Sequence, residues 1–333
     1  MNGDESIKVV PVRHVGRWVA ALVVIVAVAM LVHTIFSKLP TGLYSCRTLD
    51  GVRRCHQTTE WRFSWNIVFQ YFGSSEILHG LLLTLELTVI SMVIGIALGL
   101  VVAVMRLSPN RILSGTAWTY TWFFRGTPVL VQLLVWFNIS LLYPTVSLGV
   151  PFTHIDAHTI VTKTVFTALE AAIVALGLNE GAYMSEIARA GLLSVDEGQI
   201  EAATSMGMTR RQTLRLVILP QAMRVIIPPT GNEVISMLKT SSLASVISVT
   251  ELLGAAGNIY ATNYLIMALL ITASLWYLIV TTVLSTGQFY LERYFSRGAL
   301  RTSPPTPLQR FRGDARGILA KFRTPRGIVD VAS

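Results

Sequence analysis

Five ionisable side chains, Glu86, Glu170, Glu180, Glu233 and Lys239, stand in stretches otherwise apolar enough to cross a bilayer. A charge in such a place is expensive, so these residues pair with one another, face a protein interior or line a water-filled path. The chemistry open to them is recognition of charge, a carboxylate holding an ammonium group. Glu180, at the inner end of its segment, and Glu233 with Lys239, in a segment interrupted by Pro228 and Pro229, suit pairing or gating along a substrate pathway. Glu170 lies seven residues past Lys163, about 10 Å into the bilayer at 1.5 Å per residue. It is assigned to the pathway, the alternative being a carboxyl hydrogen-bonded between helices.

Bond-making chemistry finds no support. No Ser-His-Asp, Cys-His or paired-carboxylate arrangement is placed for catalysis. No Gly-Lys dipeptide occurs, so there is no G-x-x-x-x-G-K-[ST] loop for nucleotide phosphates, and any ATP must be hydrolysed by another chain. No cofactor is expected on this one. His154 and His158, with Asp156 between them, lack a third convergent ligand, so they read as a solvated loop and not a metal site.

The elements that position these residues follow from composition. The chain of 333 residues is 52% hydrophobic and only 14% charged, with a mean hydropathy of +0.57, against about 25% charged in a soluble domain. An all-α polytopic membrane protein is implied. The formal net charge is +9, but the cations gather at predicted inner boundaries and in the tail, which is a mark of topology and not of nucleic acid. Residues 1–17 end in Arg13, His14 and Arg17, ahead of a 19-residue apolar run, 18–36, just long enough to span. A cleaved signal peptide is the competing reading, though the run exceeds a usual signal core.

Residues 37–75 form a polar loop whose aromatic residues suit a loop or helix at the membrane interface. Further spans are expected at 77–105, 126–143, 162–184 and 260–287, with a broken one across 225–253. Gly95 and Gly99 give a G-x-x-x-G spacing that permits close helix approach. The stretch 144–161 holds no lysine or arginine and reads as external. Residues 291–333 form a basic tail too polar to bury a core, expected to be cytoplasmic, disordered and attracted to anionic lipid.

One polar stretch interrupts this pattern. Ser194 with Glu197, and Thr209 with Gln212, have the spacing of capping boxes, which predicts two short helices starting near 195 and 210. Gly207 between them can take the positive φ that ends the first and reverses the chain. Pro220 fits the exit. Ala202, Ala203 and Met206 offer a small apolar face, while Arg210, Arg211 and Arg215 make the second helix basic.

Glu201, Ala202, Ala203, Gly207, Leu219 and Pro220 together resemble the signature EAA loop of ABC importer permeases, with Val217 in place of the usual isoleucine. Residues 179–199 and 220–245 and the segment FRGTPVLVQ at 124–132 extend the likeness, and the combination is similar to the polar amino acid subfamily. The shared domain would cover 76–290, with a cytoplasmic coupling loop at 190–224. The first 75 residues and the last 40 carry no resemblance.

The resemblance implies about six transmembrane helices, a five-span importer core plus the N-terminal span, in the cell membrane with both termini cytoplasmic. The six signature residues would couple the chain to a cytoplasmic ABC ATPase dimer that binds the ATP. A second permease, the same chain or a similar one, would complete the channel, and an external solute-binding protein would deliver a polar or charged amino acid. An opine, an amine or a small peptide as substrate, or a membrane receptor or scaffold that transports nothing, stays open. With that topology the loop 37–75 is external despite Lys38, Arg47, Arg53, Arg54 and Arg62. Cys46 and Cys55, with eight residues between them in an oxidising compartment, are expected to form a disulfide.

Overall fold

The computed structural model describes residues 15–49, 52–61, 65–149, 156–162 and 166–295. Two compact units result, Met1–Gly73 with Leu265–Thr272, and Ser74–Tyr264 with Ala273–Ser333. The first opens with helix α1 (Val15–Phe36), which covers the apolar run of residues 18–36. Strands β1 (Lys38–Leu49) and β2 (Val52–Trp61) follow as an antiparallel hairpin. The expected loop is therefore a hairpin followed by the short helix α2 (Trp65–Phe72). Asp50 and Gly51 separate the strands, and Asp-Gly between β-forming runs is a strong hairpin signal.

The second unit is built on α3 (Ser75–Arg106), started by Ser74, whose hydroxyl accepts from the Ile77 N–H. Beside the buried Ile77, Leu87, Met92 and Val102 its inward face carries the small or weakly polar Gly80, Thr84, Thr88, Ser91, Gly95 and Gly99, while Leu82, Val89, Val93, Leu100, Val101 and Val104 are exposed. That arrangement suits a helix solvated by lipid, where small residues let backbones approach. Further on come α4 (Arg111–Gly126), α5 (Val129–Phe137), α6 (Ile139–Leu142) and the strand pair β3 (Thr145–Gly149) and β4 (Asp156–Val161). The long helix α7 (Ala168–Leu193) then packs along α3. A Cβ on Gly95 would lie 2.7 Å from Glu180 Cβ, and one on Gly99 would lie 2.9 Å from the Met184 carbonyl carbon. The G-x-x-x-G spacing is thus the seat of α7. Leu87, Met92, Leu133, Ala171, Ala172, Ala175 and Leu176 fill the core beside it.

After α7 come α8 (Glu197–Ser205), α9 (Arg210–Gln212), a π-helical turn (Thr213–Ile218) and α10 (Leu219–Thr240). A 3₁₀ turn (Ser241–Ile247), α11 (Leu252–Asn263) and α12 (Ile266–Phe295) complete the described chain. Among the described residues α3 and α12 are long and apolar enough to cross a membrane, and the bent pair Arg210–Ile247 and Leu252–Asn263 makes a third crossing if counted as one span.

Several expected boundaries move. The span at 126–143 begins at Val129, because the residue before a proline is pushed out of the helical region and Thr127 accordingly has φ −111° and ψ 142°, and it is divided at Asn138 into α5 and α6. The span at 162–184 starts later and runs on to Leu193. The break expected around Pro228 and Pro229 does not occur there, since both prolines lie inside the continuous α10. A proline's fixed φ is compatible with a helix even where its missing N–H is a loss. The chain breaks instead at Ser248, which has φ 67°. His154 and residues 296–333 lie outside the described residues, as do the side chains of Cys46, Cys55 and His158.

Candidate functional site

The polar stretch folds into a hairpin whose turn is closed by backbone bonds. Gly207, at φ +78°, donates its N–H to the Thr204 carbonyl at 2.9 Å, and Met208 donates to the Ala203 carbonyl at 3.1 Å. This is a Schellman closure, in which a left-handed residue lets two carbonyls at the helix end find partners. The Thr209–Gln212 capping box forms as expected, the Gln212 side chain accepting from the Thr209 N–H at 2.8 Å. The Ser194 box does not. Ser194 ends α7 by donating to the Gly191 carbonyl, and Asp196 caps α8 by accepting from the Gly198 N–H at 2.8 Å. Two candidate caps stand two residues apart there, and the short acidic one wins because α7 claims the serine.

Of the six signature positions, Glu201, Ala202, Gly207, Leu219 and Pro220 are exposed and Ala203 is buried. The expected apolar face is therefore divided, Ala203 packing inward while Met206 stands 82% exposed. Pro220 does not end the second helix. It sits just after the π turn, and the chain runs without interruption from Arg210 to Thr240. At the root of the hairpin Glu186 accepts from Arg189 Nε at 2.9 Å and Nη2 at 2.7 Å, and Arg106 of α3 lies 3.5 Å from its other oxygen.

A cavity of about 480 Å³ opens between the α4–α5 junction, α7 and α10, with Arg125, Asn179, Glu180, Tyr183, Glu233 and Ser236 in its wall. The junction is held by side chains. Gln132 donates to the Phe124 carbonyl and to Thr127 Oγ1 at 3.0 and 2.7 Å, and Asn179 donates to the same Phe124 carbonyl at 2.9 Å. Tyr120 ties α4 to α7 through the Leu178 carbonyl at 2.6 Å. Arg125 then lies over the Tyr183 ring, 5.2 Å from its centroid.

Glu180 is 3% exposed, and its Oε1 is buried with no hydrogen bond. A buried acceptor left in that state is costly and marks a place where a donor is wanted. One guanidinium and two carboxylates around a polar cavity complement a zwitterion bearing extra positive charge. Of the four pathway residues expected from sequence, the cavity thus brings together Glu180 and Glu233. Glu170 is exposed in the first turn of α7, because that helix starts at Ala168 and not near Lys163, so the 10 Å depth does not hold. A carboxylate there suits the helix dipole. Lys239 is exposed in the last turn of α10, outside the cavity wall.

Sequence reading missed Arg125 and Asn179 as site residues, although both lie in the family-like segments, and it missed Glu251, which is fully buried. Among the described residues no group of three His, Cys, Asp or Glu side chains could hold a metal ion.

Residues 95–297 match the binding-protein-dependent transport system inner membrane component family, and the chain belongs to it. It is 41% identical over 299 residues to the arginine transport system permease protein ArgU of Corynebacterium glutamicum, covering 90% of this chain and 86% of that one. To the L-cystine transport system permease protein TcyB of Bacillus subtilis it is 40% identical over 234 residues, 70% of this chain and 92% of that one. A crystal structure of an amino acid ABC transporter with histidines superposes with a TM-score of 0.60 at 34% identity, over 70% of this chain and 99% of that one. The MetNI methionine ABC transporter, 21% identical with a TM-score of 0.51 over 66% of this chain and 96% of that one, shares the fold.

Proposed function

We propose that this chain is the channel-forming permease subunit of an ATP-driven importer of polar or charged amino acids, favouring those with a cationic side chain. The observation that carries this reading is the cavity wall, where Arg125 stands with Glu180 and Glu233. A guanidinium pairs well with an α-carboxylate, and the two carboxylates suit an α-ammonium and a second cation. The link to ATP is mechanical. Glu233, Ser236, Met237 and Thr240 of the wall belong to α10, which continues unbroken from the hairpin, so a push on the hairpin moves that wall.

The chain holds no nucleotide in this reading. A cytoplasmic ATPase dimer docks on the exposed signature positions Glu201, Ala202, Gly207, Leu219 and Pro220, with Ala203 packed beneath them, a second permease completes the channel, and an external solute-binding protein delivers the ligand. Six spans with both termini cytoplasmic are the proposed topology. Reconstitution of the assembled transporter in vesicles tests the function: ATP-dependent accumulation of arginine or lysine, exceeding that of glutamate, is expected. ATPase association without uptake of any solute would leave a docking scaffold.

The hairpin β1–β2 is proposed to be external and bridged. Cys46 and Cys55 are paired in register, and directly opposed strand residues lie within the Cα separation a disulfide spans. Closing so short a loop stabilises by about 2–3 kcal/mol on the chain-entropy model. Non-reducing mass spectrometry is expected to find the peptides of Cys46 and Cys55 linked. Single cysteines at positions 48 and 155, in a background lacking Cys46 and Cys55, are expected to react with an impermeant reagent in intact cells while one at 208 is protected. The reverse labelling would invert the topology.

A further inference from the structure

Glu251 belongs to neither the cavity nor the hairpin, yet it is 0% exposed and both of its carboxylate oxygens are hydrogen-bonded. Its Oε1 accepts from the Gly254 N–H at 2.8 Å, and its Oε2 accepts from the Leu253 N–H at 2.9 Å and from the Tyr277 hydroxyl at 2.8 Å. Thr84 Oγ1 of α3 lies 3.3 Å from Oε2, shares its proton with the Gly80 carbonyl, and accepts from the Leu252 N–H at 3.0 Å. One side chain therefore starts α11 and ties it to α3 and to α12.

The backbone makes the same junction close. A Cβ on Gly80 would lie 2.7 Å from Ala255 Cβ and 3.1 Å from the Glu251 carbonyl oxygen, so α3 abuts α11 directly. On the other side of the break α10 reaches α11 through the 3₁₀ turn, held by backbone bonds from the Ser248 N–H to the Ser245 carbonyl and from the Val249 N–H to the Ala244 carbonyl and by Gly254 of α11 lying against the Val249 carbonyl, with no carboxylate among the described residues bridging the two helices. The two meet at a 42° bend through the turn 248–250, where Ser248 takes the left-handed conformation and is exposed. The helix before the bend is the one that runs to the coupling hairpin and walls the cavity.

We infer that Glu251 is the positioning residue of this broken span: it locks α11 to α3 and α12, so that α10 swings about the turn 248–250 when the hairpin is driven. Movement is then delivered to the cavity wall and not dissipated in a rigid tilt of the whole span. Hinges of this kind are short turns that absorb a change of φ and ψ between two packed bodies. The inference rests on the importer reading for its consequence, and on the bonds of Glu251 for its geometry.

Two substitutions separate this role from simple helix capping. Glu251→Asp keeps a strong N-cap for α11 but is one methylene too short for Tyr277 and Thr84. Tyr277→Phe removes only the tie to α12. Both are tested in the complete transporter, assembled with its ATPase and binding protein in vesicles, using the amino acid that the unaltered transporter carries fastest. Both variants are expected to insert and to hydrolyse ATP within about twofold of the unaltered rate, while amino acid carried per ATP falls about fivefold or more.

Spin labels at positions 89 and 258, on α3 and α11, and at 89 and 225, on α3 and α10, report the hinge in a background with Cys46→Ser and Cys55→Ser. In the unaltered chain the first distance is expected to stay constant between nucleotide-free and ATP-bound states while the second changes, and in either variant the first distribution should broaden. An unchanged coupling ratio in both variants, a parallel loss of uptake, ATPase activity and thermal stability, or a first distance that shifts as much as the second, would each overturn the inference. Failure of the unaltered transporter to carry any amino acid would instead count against the importer reading, leaving the label distances to decide the hinge.

Discussion

Gly207→Val is expected to yield a folded, inserted permease that has lost ATP-driven uptake and weakened its hold on the ATPase. Gly207 has φ +78°, and no atom lies within 4 Å of where a Cβ would stand. The cost is therefore one of backbone conformation and not of space. A left-handed L-residue loses about 1–2 kcal/mol, more when β-branched, which is enough to shift the population of the correct turn by roughly five- to thirtyfold. Asn tolerates the left-handed region far better than Val, so Gly207→Asn should retain most of the uptake. Uptake and ATPase copurification, measured side by side, check both. If Asn fails as badly as Val, the partner needs the bare surface of glycine; full coupled uptake in the valine variant would mean that the hairpin is only a solvated loop.

Glu180→Gln, a change of charge without a change of size, is expected to raise the apparent KM for arginine and lysine while leaving that for glutamine nearly unchanged. Size matters at this position because the stem of Glu180 fills the groove over Gly95. A hydrogen bond to a charged group contributes about 1.5–3 kcal/mol, which corresponds to roughly a ten- to hundredfold loss of apparent affinity. Glu233, on α10 and less buried, should show the same selectivity with a smaller effect in Glu233→Gln. Thermal stability of Glu180→Gln should change little, since the amide keeps the size of the buried side chain packed over Gly95. Uptake kinetics that do not distinguish cationic from neutral amino acids in these variants would leave both carboxylates with a packing role.

The hairpin 197–212 was legible in sequence because its determinants are local. Gly207 at the turn and Thr209 with Gln212 as a capping box act within a few residues of one another, and each took the conformation its chemistry demanded. The apolar content of α3 and α12 likewise announced a membrane protein, since a bilayer imposes length and apolarity on any single helix that crosses it. Where two local solutions competed, as with Ser194 and Asp196, spacing alone could not choose between them.

The amino-acid sequence by itself determined the class of protein, the hairpin and the positions of its turn and second cap. Only the tertiary structure decided which ionisable residues share a cavity, because that depends on where helices begin and how they stack. Glu170 stands outside the cavity because α7 begins at Ala168, and Arg125 enters its wall where Thr127 and Pro128 break the chain between α4 and α5. The broken span was moved in the same way. Pro228 and Pro229 marked a local penalty that the helix absorbed, whereas the actual break needed Glu251, Thr84 and Tyr277, drawn from three separate helices, to satisfy the backbone where α11 starts again.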